Sequence, residues 1–358
     1  MLTLKTEEPM QKIAIIPGDG IGIDVTRETV KVLRRANEVF KLPLELVEFE
    51  FGADYYLKTG IGLPPGQMEE FRKNYAAVYL GALGDPRIPD MRHGREILLG
   101  MRFDLDLYIN LRPVKLLNER LCPLKNKTAQ DVDFVVFREN TEGPYVNAGG
   151  ILKKGTPDEV ATQESYYTRK GVERIIRAAF EYAKSHHRTR VTMSDKSNVL
   201  RFGHDLWQRV FAIVGEEYPE IEKDHFFVDA LVMKMVKNPE HFQVIVTENM
   251  LGDIITDLGA ILQGGLGMAG SGNIHPGRVS LFEPVHGSAP HMAGKNKANP
   301  IAAILTVSMM LDFLGHQQAA AAVEAAVQKA VDEKQVTADV GGNLGTKECG
   351  DFVANLIG

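Results

Sequence analysis

Short apolar runs alternate with helically spaced apolar positions along the 358-residue chain. "KIAIIPGDGIG" opens as a strand and breaks at Pro17-Gly18; Val25, Val32, Leu33, Ala36 and Phe40 then recur at the spacing of a helix over 24–40. "PLELVEFEFG" alternates as a strand does, and "YAAVYLGALG" is an unbroken apolar run suited to a sheet covered on both faces. A short helix is predicted over 95–101, followed by strands in "LDLYINLRP" and "DVDFVVFREN". Residues 141–162 are rich in Gly, Pro and Thr without a helical period, which predicts a projecting arm or long hairpin.

Downstream, "GVERIIRAAFEYAKSHH" is strongly amphipathic and "RVTMSD" reads as a strand. A helix is expected over 198–217, "HFFVDALV" reads as a strand running into a helix, and "FQVIVTEN" as a buried strand. From Ala298 the tail is mostly helical. Strands alternating with helices predict the α/β class, and no internal repeat is visible.

Composition narrows function more than fold. The content of 44% hydrophobic and 25% charged residues is ordinary for a globular chain. A net charge of −6 with no basic block argues against nucleic acid, so an anionic ligand has to be met by local arginines. The two cysteines, Cys122 and Cys349, exclude a disulfide framework and suit a reducing cytoplasm. "MLTLKTEEPMQ" lacks the apolar core of a signal peptide, and "NPIAAILTVSMMLDFLG" is too short to span a bilayer, so a cytoplasmic protein with no membrane partner is expected.

Against that background the stretch "TENMLGDIITDLGAILQGG" stands out, because Asp253 and Asp257 are one helical turn apart in an apolar run. Either that face meets solvent or a cation sits between the two charges. Asp229 in "FFVDALV", read as a strand end, adds a third hard oxygen donor of the kind Mg²⁺ or Mn²⁺ prefers. Arg102, Arg112 and Arg138 lie around two strands, the latter two read as strand-terminal. Singly they are surface ion pairs; together they make a dicarboxylate pocket, since guanidinium grips carboxylate bidentately. Lys196 in "SDKSN" is either a solvated lysine or a general base, and Tyr145 in "EGPYVN" either packs the arm or moves a proton. "PGDGIG" lacks the dinucleotide spacing; its glycines turn the chain or also approach a ligand. "SLFEPVHGSAPHMAGKNKANP", some twenty residues rich in small side chains, is either a surface loop or a place where backbone N–H groups meet a nucleotide.

These pieces in this order resemble the isocitrate/isopropylmalate (β-decarboxylating) dehydrogenase family, which includes the homoisocitrate and tartrate/D-malate enzymes. The likeness runs nearly end to end, through "IPGDGIG", "LRP", "RENTEG", "DKSN", "VTENMLGDIITDLG", "FEPVHGSAP" with "GKNKANP", and "MMLDFLG". It implies an isopropylmalate dehydrogenase-like two-domain fold that is not a Rossmann fold. Residues 1–108 plus 264–358 would form a cofactor-side domain. Residues 109–263 would form a dimerisation and metal-ligand domain that includes the 141–162 arm.

The resemblance further implies a homodimer with shared active sites, in which Arg102, Arg112 and Arg138 hold the malate carboxylates and Tyr145 and Lys196 form the acid–base pair. Asp229, Asp253 and Asp257 would carry Mg²⁺ or Mn²⁺, with Asp229 and Lys196 coming from the other subunit. Glu283, His286, Gly287, Ser288, Ala289, His291 and Asn299 would bind the nicotinamide dinucleotide.

The implied reaction is metal-dependent oxidative decarboxylation of a malate-type 2-hydroxy acid with NAD. Leu98 and Leu99 offer an apolar surface suited to an isopropyl group, which favours 3-isopropylmalate, converted to 4-methyl-2-oxopentanoate and CO₂ in leucine biosynthesis. "RENTEG" in place of "RELTGG" points to D-malate or tartrate as the alternative; Glu96 and Leu98, where isocitrate enzymes carry Ser and Asn, set isocitrate behind. NAD-dependent members place Asp after "HGSAP"; here His291 stands there, which admits NADP, while "VTADVGG" lacks the Tyr and Arg of NADP-using isocitrate enzymes. A silent regulatory paralogue is the competing class; such paralogues usually lose a metal aspartate, the lysine or the tyrosine, all present here.

Overall fold

Uninterrupted Ile, Val and Ala runs become strands, and the amphipathic segments between them become helices laid on those strands. The computed structural model describes residues 9–358, so most of the N-terminal stretch considered above lies outside them. Two units emerge, one joining the segment up to Leu105 with Leu266–Gly358, the other comprising Asp106–Gly265.

In the first unit the strands lie in the order Leu44–Glu48, Gln11–Gly18, Ala77–Ala82, Ser280–Pro284, Gly270–Ile274. All neighbours are parallel except the last pair. Every residue of "AVYLGA" is buried, as its unbroken apolar character requires. The helix Ile21–Phe40 buries Val25, Val32, Leu33 and Ala36 along one stripe. Gly18 and Gly20 have φ of +73° and +57°, and a Cβ on either would collide with the Ala82 or Ser288 carbonyl oxygen. The glycines of "PGDGIG" thus turn the chain and let Ile21 N–H reach the Ser288 carbonyl at 2.7 Å. Between them Asp19 is only 5% exposed. Its carboxylate accepts from Ala53 N–H (2.6 Å) and Gly84 N–H (2.8 Å) and meets His93 Nε2 at 2.9 Å.

The second unit orders its strands Ile109–Lys115, Asp133–Glu139, Val244–Thr247, Arg190–Asp195, Glu222–Phe227, antiparallel in the first pair and parallel thereafter. Val114, Phe134, Leu231, Met235, Phe242, Ile255 and Leu262 close its core. The helix Asn249–Leu262 lies close on the first two strands because Gly252 and Gly259 sit two turns apart on its inner face. A Cβ at Gly252 would stand 2.6 Å from Arg138 Cγ, and one at Gly259 2.7 Å from Val114 Cγ2.

Several local expectations are corrected. The helical run around 95–101 spans Arg92–Asp104 and holds a π-helical turn at Arg95–Leu99, with Gly100 N–H bonded back to Arg95 O; sequence periodicity does not register one inserted residue. The helix expected over 198–217 begins at Gly203. Asp229 does not end a strand but lies in the first turn of the helix Val228–Lys237. Residues 280–284 are a buried strand, not loop, and Gly270–Ile274, too glycine-rich to read as a strand, pairs with it. The segment predicted at 141–162 holds an antiparallel hairpin between Gly149–Leu152 and Val160–Gln163, which runs one residue past it, with every residue of both strands exposed.

Candidate active site

Arg112 and Arg138 reach the same face of the antiparallel pair, because Arg112 opposes Val136 and Arg138 stands two residues further along. Arg112 is mid-strand rather than strand-terminal, as the strand continues through Pro113 to Lys115; Arg138 is next to last in its own. Both are buried, at 7% and 1% exposure. Both donate Nη1 to one atom, Asp253 Oδ1, at 3.2 and 2.6 Å. The other oxygen, Asp253 Oδ2, accepts from the Tyr145 hydroxyl at 2.9 Å, and the Arg138 guanidinium lies 5.3 Å from the Tyr145 ring centre. Arg112, Arg138, Tyr145 and Asp253 are therefore one cluster.

Sequence reasoning missed two members. Asn249 Oδ1 accepts from Arg138 Nε (3.0 Å) and Nη2 (2.7 Å), and Thr256 Oγ1 accepts from Arg112 Nη1 at 2.6 Å. The signal was present, since Asn249, Asp253, Thr256 and Asp257 follow at i, i+4, i+7 and i+8, one polar face of a helix whose other positions are mostly apolar. Glu248 starts that helix by accepting from Met250 and Leu251 N–H.

Asp257 is exposed one turn beyond Asp253. Partial burial and the Asp253 charge push its carboxyl above the usual range, against the pull of Arg112 and Arg138. Asp229 pairs instead with Lys196, whose Nζ donates to Oδ1 at 2.7 Å and holds that carboxyl below its ordinary value. Among the described residues no three His, Cys, Asp or Glu side chains of one chain gather as a metal site, so Asp229 does not join Asp253 and Asp257 within a chain.

The remaining predicted residues belong to the first unit. Arg102 is buried and donates to Glu283 Oε1 at 3.0 Å, which also accepts from Asn273 at 2.9 Å. Leu98 and Leu99 are half-buried on the π-helical turn. His286 has its Nε2 buried without a partner, and burial lowers its basicity. Gly287 and His291 are exposed, Ala289 is left-handed at φ +35°, and Ser288 is buried. Asn299, two residues before the helix Ile301–Phe313, accepts from Ile301 N–H (3.0 Å) while donating to Asp339 (3.0 Å).

A buried arginine pair answered by a half-exposed carboxylate and a tyrosine hydroxyl, mounted on an α/β scaffold, is equipment for binding and transforming a carboxylate. The family model for isocitrate/isopropylmalate dehydrogenase matches residues 12–353. The chain is 47% identical to a 3-isopropylmalate dehydrogenase of Thermobifida fusca over 97% of each chain, and 46% identical to one of Nocardia farcinica over 97% of this chain and all of that one. An isocitrate dehydrogenase structure from Methylococcus capsulatus superposes with a TM-score of 0.88 at 35% identity, covering 97% of this chain and 99% of that one. A β-decarboxylating dehydrogenase from Thermococcus kodakarensis gives 0.79 at 34% identity, covering 97% and 96%. The chain belongs to the isocitrate/isopropylmalate dehydrogenase family and is a decarboxylating dehydrogenase. Among the described residues no helix is long and apolar enough to cross a membrane.

Proposed function

We propose that the chain oxidatively decarboxylates 3-isopropylmalate to 4-methyl-2-oxopentanoate and CO₂, using NAD and Mg²⁺ or Mn²⁺. The observation that carries this reading is the convergence of Arg112 and Arg138 on Asp253 beside the Tyr145 hydroxyl. With one carboxylate already between them, the two guanidiniums are spaced to receive a substrate carboxylate in its place. In the first unit we assign Arg102 to substrate binding, with Leu98 and Leu99 as the apolar surface for the isopropyl group. The names carried by the 44–47% identical relatives favour that substituent. A second reading, D-malate or tartrate, rests on "RENTEG" and on exposed Arg95 beside the leucine pair.

The donor set fits a divalent cation. Asp253 and Asp257 offer hard oxygens one turn apart on an open helix face, where a cation relieves the repulsion that Asp257 feels. We assign Asp229 and Lys196 to the site of a second copy, which completes three carboxylates. Exposed Met233 (68%) and Val236 on one helix, and Met250, Ile254 and Ile261 on the next, form apolar stripes that a homodimer would cover. A divalent ion held there supplies electrophilic stabilisation of the negative charge that develops on the substrate oxygen. NAD, which takes the hydride, is assigned to Glu283, His286, Gly287, Ser288, Ala289, His291 and Asn299, where the orphaned His286 Nε2 awaits a partner. Lys196 Nζ, as the neutral amine released from its pairing with Asp229, takes the hydroxyl proton directly or through a relay. After CO₂ departs, the Tyr145 hydroxyl returns a proton to carbon. Arg112 and Arg138 hold the carboxylates until CO₂ departs.

The test is a substrate panel. Purified protein with Mg²⁺ or Mn²⁺ is given 3-isopropylmalate, D-malate, tartrate, isocitrate and homoisocitrate, each with NAD and with NADP. NADH from 3-isopropylmalate, abolished by a chelator and restored by metal, is the expected result. Faster oxidation of D-malate or tartrate selects the second reading, and no oxidation of any acid defeats both.

A further inference from the structure

We propose that His204 is a positioning residue that holds Lys196 by the lysine's own peptide N–H, braced by Tyr167; this rests on the acid–base role given to Lys196 above. Lys196 follows the strand Arg190–Asp195 and opens an irregular turn before the helix Gly203–Glu216. Its N–H donates to His204 Nδ1 at 2.7 Å, from the first turn of that helix. His204 is fully enclosed, and burial lowers its basicity below the ordinary histidine range. A neutral ring keeps the Nδ1 lone pair that this bond needs, whereas a protonated ring would set N–H against N–H.

With Nδ1 accepting, the ring proton sits on Nε2, which faces the Tyr167 hydroxyl at 3.4 Å. The two rings meet edge-on with centroids 5.4 Å apart. On the other flank of Lys196, Asp195 is only 1% exposed and accepts from Ser197 N–H (3.0 Å) and Gln208 Nε2 (2.7 Å), and meets His225 Nε2 at 3.0 Å. The backbone on both sides of Lys196 is therefore pinned from one helix and a strand, and its Nζ still reaches Asp229 at 2.7 Å.

The segment that carries Tyr167 is also bonded to the chain just before Tyr145. Gly143 N–H donates to Tyr166 O at 2.9 Å, next to Tyr167, and Gly143 leads directly into the turn Pro144–Val146 that carries Tyr145. A long, four-bond lysine side chain magnifies any backbone displacement, and a misplacement near 1 Å costs on the order of a hundredfold in rate. A buried ring that fixes the peptide of Lys196 acts on kcat through that geometry without touching substrate.

Three variants test this. His204→Leu removes the acceptor at similar volume, His204→Asn returns an oxygen near the place of Nδ1, and Tyr167→Phe keeps the ring without the hydroxyl. In His204→Leu, kcat should fall about a hundredfold with substrate KM changed by less than about threefold. His204→Asn should recover most of the loss, and Tyr167→Phe should lose about threefold to tenfold. Hydrogen exchange at the Lys196 amide should be slow in the wild type and His204→Asn and fast in His204→Leu. Unchanged kcat in His204→Leu overturns the proposal, as does a loss that His204→Asn fails to restore. If the wild type oxidises none of the panel acids, the functional reading fails on its own; Lys196 amide exchange then decides whether His204 holds this turn, and unaltered exchange in His204→Leu overturns it.

Discussion

Two aspartates, one in each unit, are surrounded by donors in opposite ways. Asp19 in the first unit is sealed, and its partners are two peptide N–H groups and a buried histidine. Asp253 in the second unit keeps 41% of its side chain exposed, and its partners are two arginines and a tyrosine hydroxyl. Peptide donors are fixed in the backbone and cannot leave without moving it, so Asp19 ties the first turn of the helix Ala53–Thr59 to the chain just beyond the strand Ala77–Ala82. Side-chain donors at an open surface can exchange one carboxylate for another, so the Asp253 cluster can trade partners with a ligand. Exposure and donor type, more than residue identity, separate a carboxylate that stabilises from one that works.

The largest expected effect that would break this contrast is on Asp253. Asp253→Asn should lower kcat by about a thousandfold while thermal unfolding moves by only a degree or two; a substantial loss of fold would make Asp253 structural. Asp19→Asn should do the reverse. Turning an acceptor oxygen into an amide leaves a buried N–H without its partner, at a cost of about 3 kcal/mol and several degrees of melting temperature. Its kcat per folded molecule should stay within a few-fold, and an unchanged melting temperature would refute the tie.

Glu139 sharpens the comparison with a smaller effect, because it is sealed like Asp19 yet lies in the second unit. Its carboxylate accepts from Thr141 N–H (2.8 Å), Thr141 Oγ1 (2.6 Å) and Glu142 N–H (2.7 Å), and burial pushes its pKa up to about 7. Because the folded value lies above the unfolded one, the folded state binds more protons between them. The stability linked to this proton is complete below the ordinary carboxylate value and is lost as pH rises through about 7. Melting curves across pH 5 to 8 should show a decline in the wild type that Glu139→Gln lacks. Parallel curves would remove Glu139 as the cause.

Much of the scaffold was legible along the chain. Unbroken apolar runs such as "AVYLGA" became strands buried on both faces, and the stripe of Val25, Val32, Leu33 and Ala36 became a buried helix face. Elements whose existence depends on a distant partner were not. Gly270–Ile274 is a strand because Ser280–Pro284 lies beside it, and the π turn at Arg95–Leu99 leaves no periodic trace.

For the candidate site, the chain alone determined that Asp253 and Asp257 share a helix face with Asn249 and Thr256, since spacing along one helix is a local property. Only the tertiary structure decided that Arg112 and Arg138, twenty-six positions apart, converge on one Asp253 oxygen, since strand register and the close seat allowed by Gly252 set that distance. It likewise decided that His204, an unremarked histidine in a helix, takes the peptide N–H of Lys196. Contacts across elements depend on packing, and packing is written jointly by every residue in the interface rather than by any one stretch of chain.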